Sequence, residues 1–216
     1  MKSNKLFVLI VIIAAAAVFA GLTLWQKPAT TTGGATGVVI DNALLEKAHS
    51  PVKGTADAPV TIVEFLDPEC EACRALNPIV NRLLEEFPGK LRIVIRYMPF
   101  HGNSKWAASA LEEAREQGKY TEALNYLFET QPAWANHGQP RPELIARYLK
   151  EIGVDDSKLE REAVIAKHGW KIDADREDGV KLGVRYTPTF FINGKMIEEI
   201  GYLQLKEAIE KELARK

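Results

Sequence analysis

The sequence predicts an α/β domain in which a strand–helix–strand unit and a strand–strand–helix unit are separated by a block of helices. Three observations predict it. The stretches VTIVEFL at 60–66 and LRIVIRYM at 91–98 are nearly continuous in apolar residues, as strands buried on both faces are. Between 105 and 182 apolar residues recur at helical spacing instead. At 189–192 strand chemistry returns, and Asn193-Gly194 after it is a strong hairpin turn.

The chain has 216 residues, 46% of them apolar and 26% charged. That composition suits one globular core and excludes wholesale disorder, collagen-like repeats and a multi-span membrane protein. With a formal net charge of −1 the chain carries no basic excess, so no nucleic-acid partner is expected. Lys2 and Lys5 precede an apolar run at 6–24, which reads as an export signal. At about 1.5 Å per residue the run is long enough to span a bilayer, and Trp25 and Lys27 at its far edge fit an interfacial stop. Val18-Phe19-Ala20 offers a small-residue cleavage site, so 1–27 is a signal peptide or a signal anchor. No Cys lies near the run, which excludes a lipoprotein anchor. The Thr- and Gly-rich stretch 28–37 reads as a flexible tether, and the folded domain as 38–216. The expected location is the periplasm or the extracytoplasmic face of the envelope, with 6–24 tethering the domain to the inner membrane.

A short helix is expected at 41–48, followed by turn residues at 50–59 (SPVKGTADAP). The strand at 60–66 comes next, with Glu64 as its anomaly. From Cys70 onward Ala72, Leu76, Ile79, Val80, Leu83, Leu84 and Phe87 define a helix that Pro88-Gly89 stops. Pro78 inside it should kink it. With the strand at 91–98 these elements make a right-handed βαβ unit. Helices are expected at 105–117, 120–128, 142–152 and 157–182, forming a helical insertion at about 103–182. Pro142 with Glu143 marks a first turn, and Ser157 with Glu160 a capping box. The stripe Leu144, Ile145, Tyr148, Leu149 and Ile152 reads as core packing. The chain closes with strands at 189–192 and 196–200 and a helix at 203–214.

The chemistry centres on the only two cysteines, in Cys70-Glu71-Ala72-Cys73, at the junction of a buried strand and a helix. The first turn of a helix leaves amides unpaired and carries partial positive charge, which stabilises a thiolate on Cys70. A stabilised thiolate is both the attacking species and the better leaving group in thiol–disulfide exchange. Cys73, one turn later, would resolve the mixed disulfide. A purely structural disulfide at this spacing closes only a tiny loop and adds little stability. A zinc or copper site has little support, because there is no second CxxC and no HxxxH, and His49, His101, His137 and His168 are scattered. No metal and no cofactor are therefore expected.

Glu64, six residues before Cys70 in an otherwise apolar strand, would be desolvated, with its pKa raised. It is the candidate acceptor for the Cys73 proton, unless it sits on an edge facing water. His101, at the end of a strand, reads as a turn residue. Thr187-Pro188 opens the third strand, where a proline is tolerated. Residue patterns alone do not assign its peptide bond as cis.

These motifs together resemble the DsbA-like branch of the thioredoxin superfamily over nearly all of the chain after the tether. The resemblance is carried by 54–65 (GTADAPVTIVEF), Asp67-Pro68-Glu69-Cys70-Glu71-Ala72-Cys73, Tyr97-Met98-Pro99-Phe100-His101 and 183–195 (GVRYTPTFFINGK). It implies a thioredoxin fold with an inserted helical domain, Cys70 as nucleophile, Cys73 as resolving thiol, Pro188 in cis and Thr187 as the residue that pairs with an extended substrate. The implied activity is thiol–disulfide exchange with cysteines of exported proteins, with a membrane redox partner recycling the cysteine pair. Strong oxidants of the family resemble one another in a Pro-His pair between the cysteines, where this chain has Glu71-Ala72. Carboxylates at Glu69 and Glu71 are expected to repel the thiolate and weaken it as an oxidant. Disulfide formation is the first reading, a reductase or isomerase the alternative, and a copper-handling or peptide-binding module of the same fold lies further off.

Overall fold

The computed structural model describes residues 42–215. The expected export segment at 1–27 and tether at 28–37 lie outside the described residues. Among those described, no helix is long and apolar enough to cross a membrane.

A mixed sheet of five strands forms the centre, in the order β1-β3-β2-β4-β5. The strands are β1 (Val52–Gly54), β2 (Val60–Leu66), β3 (Leu91–Tyr97), β4 (Thr189–Ile192) and β5 (Lys195–Ile197). β2 and β3 are parallel, joined by α2 (Glu71–Glu86), and the other pairings are antiparallel. α1 (Asn42–Leu45) precedes β1. Between β3 and β4 come α3 (Ser104–Glu116), α4 (Tyr120–Trp134), α5 (Leu144–Glu151), a 3-10 turn at Asp156–Lys158 and α6 (Arg161–Lys181); α7 (Tyr202–Leu213) closes the domain. The architecture is the expected thioredoxin fold with helices inserted after the βαβ unit.

Alternation along β2 explains why its sequence is apolar throughout. Ile62 and Leu66 point into the larger core, with Val80 and Leu83 of α2, Leu205 and Ile209 of α7 and the apolar side of the helical block. Val63 and Phe65 point the other way, into a smaller core with Leu45, Val94, Met98, Val184 and Phe191. A strand with helices on both faces has no solvated side on which to place polar residues. Hence Glu64, which shares its face with Ile62 and Leu66, is 3% exposed and lies behind α2. The edge position considered for it does not occur, since β2 is the middle strand.

α6 comes close to the sheet because residue 179 is glycine. A Cβ there would stand 2.9 Å from the Met98 sulfur and 3.1 Å from the Phe65 ring. The contact brings two aspartates of α6 onto Arg96, which is fully buried: Arg96 Nε donates to Asp175 Oδ1 at 2.7 Å and Nη2 to Asp178 Oδ2 at 2.8 Å. Asp175 also receives the Tyr97 amide at 2.9 Å and bonds His49 at 2.8 Å, and Arg96 Nη1 donates to the Leu44 carbonyl at 2.5 Å. One guanidinium therefore ties the N-terminal segment, β3 and the insertion together.

Several boundaries differ from expectation. The turn-like stretch at 50–59 contains β1, which pairs with the outer edge of β3; three residues flanked by Gly and Pro are too short to show a period. α2 runs from Glu71 to Glu86 with Pro78 inside it. α4 continues six residues past 128, through Pro132, to Trp134. The capping box at Ser157 and Glu160 does not form. Asp155 caps the 3-10 turn by accepting the Ser157 amide, and Glu160 is itself the cap of α6, accepting from Glu162 and Ala163 at 3.1 and 2.7 Å. A carboxylate one residue before the helix reaches these amides directly, so no serine is needed. The α-helix of Leu144–Glu151 starts two residues after Pro142, and the last strand ends at Ile197 rather than 200. The hairpin at Asn193-Gly194 is formed, both residues having positive φ of 44° and 81° as a primed turn requires.

Replacing Arg96 by Ala leaves Asp175 and Asp178 buried without their guanidinium. The variant is expected to lose about 3–5 kcal/mol of stability, read as a shift of the urea midpoint at unchanged slope; a loss under about 1 kcal/mol would contradict the role given to Arg96.

Candidate active site

β2 ends at Leu66, and the next three residues turn the chain so that α2 begins at the C-terminal end of the sheet. Asp67, fully buried, builds that turn. One of its oxygens accepts the Glu69 amide at 2.8 Å; the other accepts the amides of Phe100 at 2.8 Å and His101 at 3.3 Å and bonds His101 Nδ1 at 2.7 Å. Gln131 of α4 holds the turn from the other side, its Nε2 donating to the carbonyls of Pro68 and Cys70 at 2.9 and 3.0 Å. The insertion thus supports the cysteine loop directly.

Cys70 is the N-cap of α2 and has extended backbone angles, φ −80° and ψ 124°. No side-chain oxygen occupies the cap position there, so the first-turn amides are open to its sulfur. The Cys70 thiol is pulled down to about 5, chiefly by a hydrogen bond from the Cys73 thiol and further by Thr187 and the amides of Cys73 and Ala72, against the opposing effect of partial burial. Cys73 responds oppositely: burial first, then the hydrogen bond and charge of Cys70, raise its pKa well above the ordinary thiol value. Cys70 keeps 8% of its surface exposed and Cys73 1%, so only the first sulfur can meet another polypeptide.

Neither Glu69 nor Glu71, expected to repel the thiolate, is among the main influences on the Cys70 thiol. Glu69 is buried and turned to the loop before α3, where it accepts the Asn103 amide at 2.7 Å, Asn103 Nδ2 at 3.0 Å and the Ser104 hydroxyl at 3.4 Å. Glu71 points outward to His137 at 2.7 Å. Both carboxylates are engaged elsewhere, and the hydrogen bond from Cys73 is the main influence that lowers the thiol.

Thr187 and Pro188 close the other side of the site. Their peptide bond is cis, and the Thr187 carbonyl lies 3.3 Å from the Cys70 sulfur. The pairing of β4 with β2 begins at Thr189, so Thr187 stands just beyond the end of the ladder, next to the reactive sulfur. Behind α2, burial pushes Glu64 up to about 7, with the charge of Lys53 opposing the rise. Lys53 is lowered by the same burial, is held by Asn81 and acts on Glu64 from β1. The Glu64 charge in turn acts on Cys73.

The structure thus assembles Cys70, Cys73, Thr187 and Pro188 in one place, with Glu64 on the inner side of Cys73. It adds residues that the sequence reading passed over. Lys53 left one signal, a positive charge near in sequence to an unexplained acid. Gln131 left none, Asp67 stood only as part of the cysteine motif, and His137 only among the histidines judged scattered. The histidines are not all scattered either: the rings of His101 and His137 lie 5.7 Å apart beside Glu71, brought together by the fold across 36 residues.

With this geometry in hand, the comparisons with known proteins agree. The thioredoxin family profile matches residues 46–211. The chain is 31% identical to disulfide bond formation protein D of Bacillus subtilis, over 77% of its own length and 78% of that protein. The chain belongs to the thioredoxin family, in its DsbA-like branch. The crystal structure of oxidised BdbD from Bacillus subtilis superposes with a TM-score of 0.70 at 30% identity, covering 77% of this chain and 94% of that one. A Na(+)/H(+) antiporter NhaA of Salinispora tropica is 28% identical over 85% of this chain, which spans only 29% of the antiporter's length.

Because the folded thiol ionises near 5 and an unfolded one near 9.0, the unfolded reduced chain binds more protons between those values. Stability of the reduced protein relative to Cys70→Ser is therefore expected to rise from pH 5 to pH 9, fully present at the upper end and lost as pH falls through 5. Denaturant unfolding at pH 5, 7 and 9 reads it, and parallel curves for the two proteins would refute it.

Proposed function

We propose that this protein forms disulfides in exported proteins by passing on its Cys70–Cys73 disulfide. A client thiolate attacks the Cys70 sulfur, giving a mixed disulfide and releasing Cys73 as a thiolate that takes up a proton. A second client thiolate then attacks the client sulfur and expels the Cys70 thiolate. The client gains a disulfide, and its two electrons remain on the reduced pair. The observation that carries the direction is the stabilised Cys70 thiolate at the start of α2. What stabilises the reduced form makes the oxidised form give up its disulfide more readily. This favours an oxidant over a reductase or isomerase.

Glu64 exchanges the Cys73 proton. Its pKa near 7 lets it hold or release a proton at neutral pH, and its burial beside Lys53 keeps that proton on the inner side of the site. Thr187 pairs with the extended client chain past the end of β4, so the client's cysteine is presented to Cys70. The setting is extracytoplasmic, with 6–24 as the tether, and a membrane redox partner reoxidises the pair; the export-type sequence at the N-terminus and the DsbA-like relatives support both.

Three measurements test this. Cys73→Ser should accumulate covalent client adducts that thiol reagents release, whereas Cys70→Ser should give none; equal trapping by the two variants would refute the assignment of the nucleophile. Acid-quenched alkylation in cells should find the pair mostly oxidised, and a mostly reduced pair would transfer the reading to the reductase alternative. Glu64→Gln should slow release of the mixed disulfide through Cys73 on the order of 100-fold while leaving the first attack by the reduced Cys70 thiolate on a client disulfide nearly unchanged. Unaltered release kinetics would remove Glu64 from the proton path.

A further inference from the structure

Glu71, His101 and His137 come from the start of α2, the loop after β3 and the loop after α4, and their ligand atoms lie within 4.8 Å of one another. We propose that these three side chains form a site for a divalent transition metal of the zinc type at the rim of the cysteine pair. Two imidazoles and a carboxylate make a nitrogen- and oxygen-donor set suited to zinc, with room for at least one further ligand. Tetrahedral zinc with bonds of about 2.0–2.1 Å places its ligand atoms about 3.4 Å apart. The 2.7 Å contact between His137 Nε2 and Glu71 Oε1 needs to open slightly and the third side to close, a matter of side-chain rotation at exposed residues.

A second observation separates this cluster from an ordinary surface ion pair. His101 Nδ1 is bound to the buried Asp67 carboxylate at 2.7 Å, and that carboxylate is itself fixed by the Phe100 amide. A carboxylate behind the ring fixes both tautomer and orientation, leaving Nε2 as the free donor; zinc-binding histidines are held in this way. Beside the trio is a cleft of about 320 Å³ lined by Glu71, Arg74 and His137 among others, which gives an ion and its waters access. The other group of this composition, Glu113, Glu116 and His168, is already filled: Lys167 bonds both glutamates, and Lys171 lies 3.2 Å from His168 Nδ1.

The consequence concerns Cys70. Glu71 is its chain neighbour, and the Cys70 charge already acts on His101. A bound dication there favours the reduced thiolate, so the reduced protein binds the metal more tightly than the disulfide form. The site itself does not require the exchange activity, because its ligands are not the cysteines.

The test is zinc binding by the full chain, titrated against a chromophoric chelator in the oxidised and the reduced states. The oxidised protein should bind one zinc, and the reduced protein should bind it more tightly. Exposed His137→Ala should weaken binding at least tenfold in both states, and Glu71→Gln should weaken it in the same direction without loss of fold. Two results overturn the proposal: no zinc on the oxidised protein, or binding by the reduced protein that His137→Ala does not change, which would mean ligation by the thiols alone.

Discussion

The first turn of α2 opens on a sulfur rather than on an oxygen, and the site is arranged around that substitution. A helix start needs acceptors for its open N–H groups, and serine, threonine or aspartate ordinarily supplies them from the cap position. Here the cap is Cys70, whose acceptor strength depends on its charge. In the reduced protein the amides of Ala72 and Cys73 favour the ionised Cys70. In the disulfide form that thiolate is gone and the helix loses its charged acceptor. Local helix chemistry is thereby coupled to redox state, and the coupling needs no moving part.

The surroundings keep that coupling intact. Asp67 and Gln131 hold the turn leading into α2 from two sides, one from the end of β2 and one from the inserted helices. The insertion therefore does more than cover the sheet, since α4 contributes a buried amide that fixes the Pro68 and Cys70 carbonyls. On the inner side, Lys53 and Glu64 are both buried and influence each other's charge, and the ionisation of each is shifted mainly by lack of solvent. Outer and inner sulfurs consequently sit in unlike environments, one lowered by hydrogen bonds and one raised by burial. That asymmetry assigns them different roles.

Much of the architecture was legible because the physics behind it is local. β2 and β3 read as buried strands, since a strand covered on both faces can carry apolar residues at every position. The Asn193-Gly194 hairpin was legible because both residues must adopt positive φ. The start of α2 at the cysteines followed from the change of period after Leu66. Illegible were features set by partners distant in sequence. β1 is three residues long and exists through its pairing with β3. Glu160 rather than Ser157 caps α6 because the chain turns once more before the helix begins. Glu69 and Glu71 seemed bound to act on Cys70 as its neighbours, yet adjacency in sequence fixes no side-chain direction, and Asn103 and His137 drew the two carboxylates away.

The sequence by itself determined the fold class, the placement of the cysteine pair at a strand–helix junction and the anomaly of an acid in an apolar strand. Each depends on periodicity or on residue type over a few positions. Tertiary structure alone decided that Thr187 meets Cys70, that Lys53 faces Glu64, that Arg96 binds Asp175 and Asp178, and that His101 and His137 stand together beside Glu71. These contacts join segments tens of residues apart, and they arise only when packing of the two cores brings separate stretches of chain to one end of the sheet.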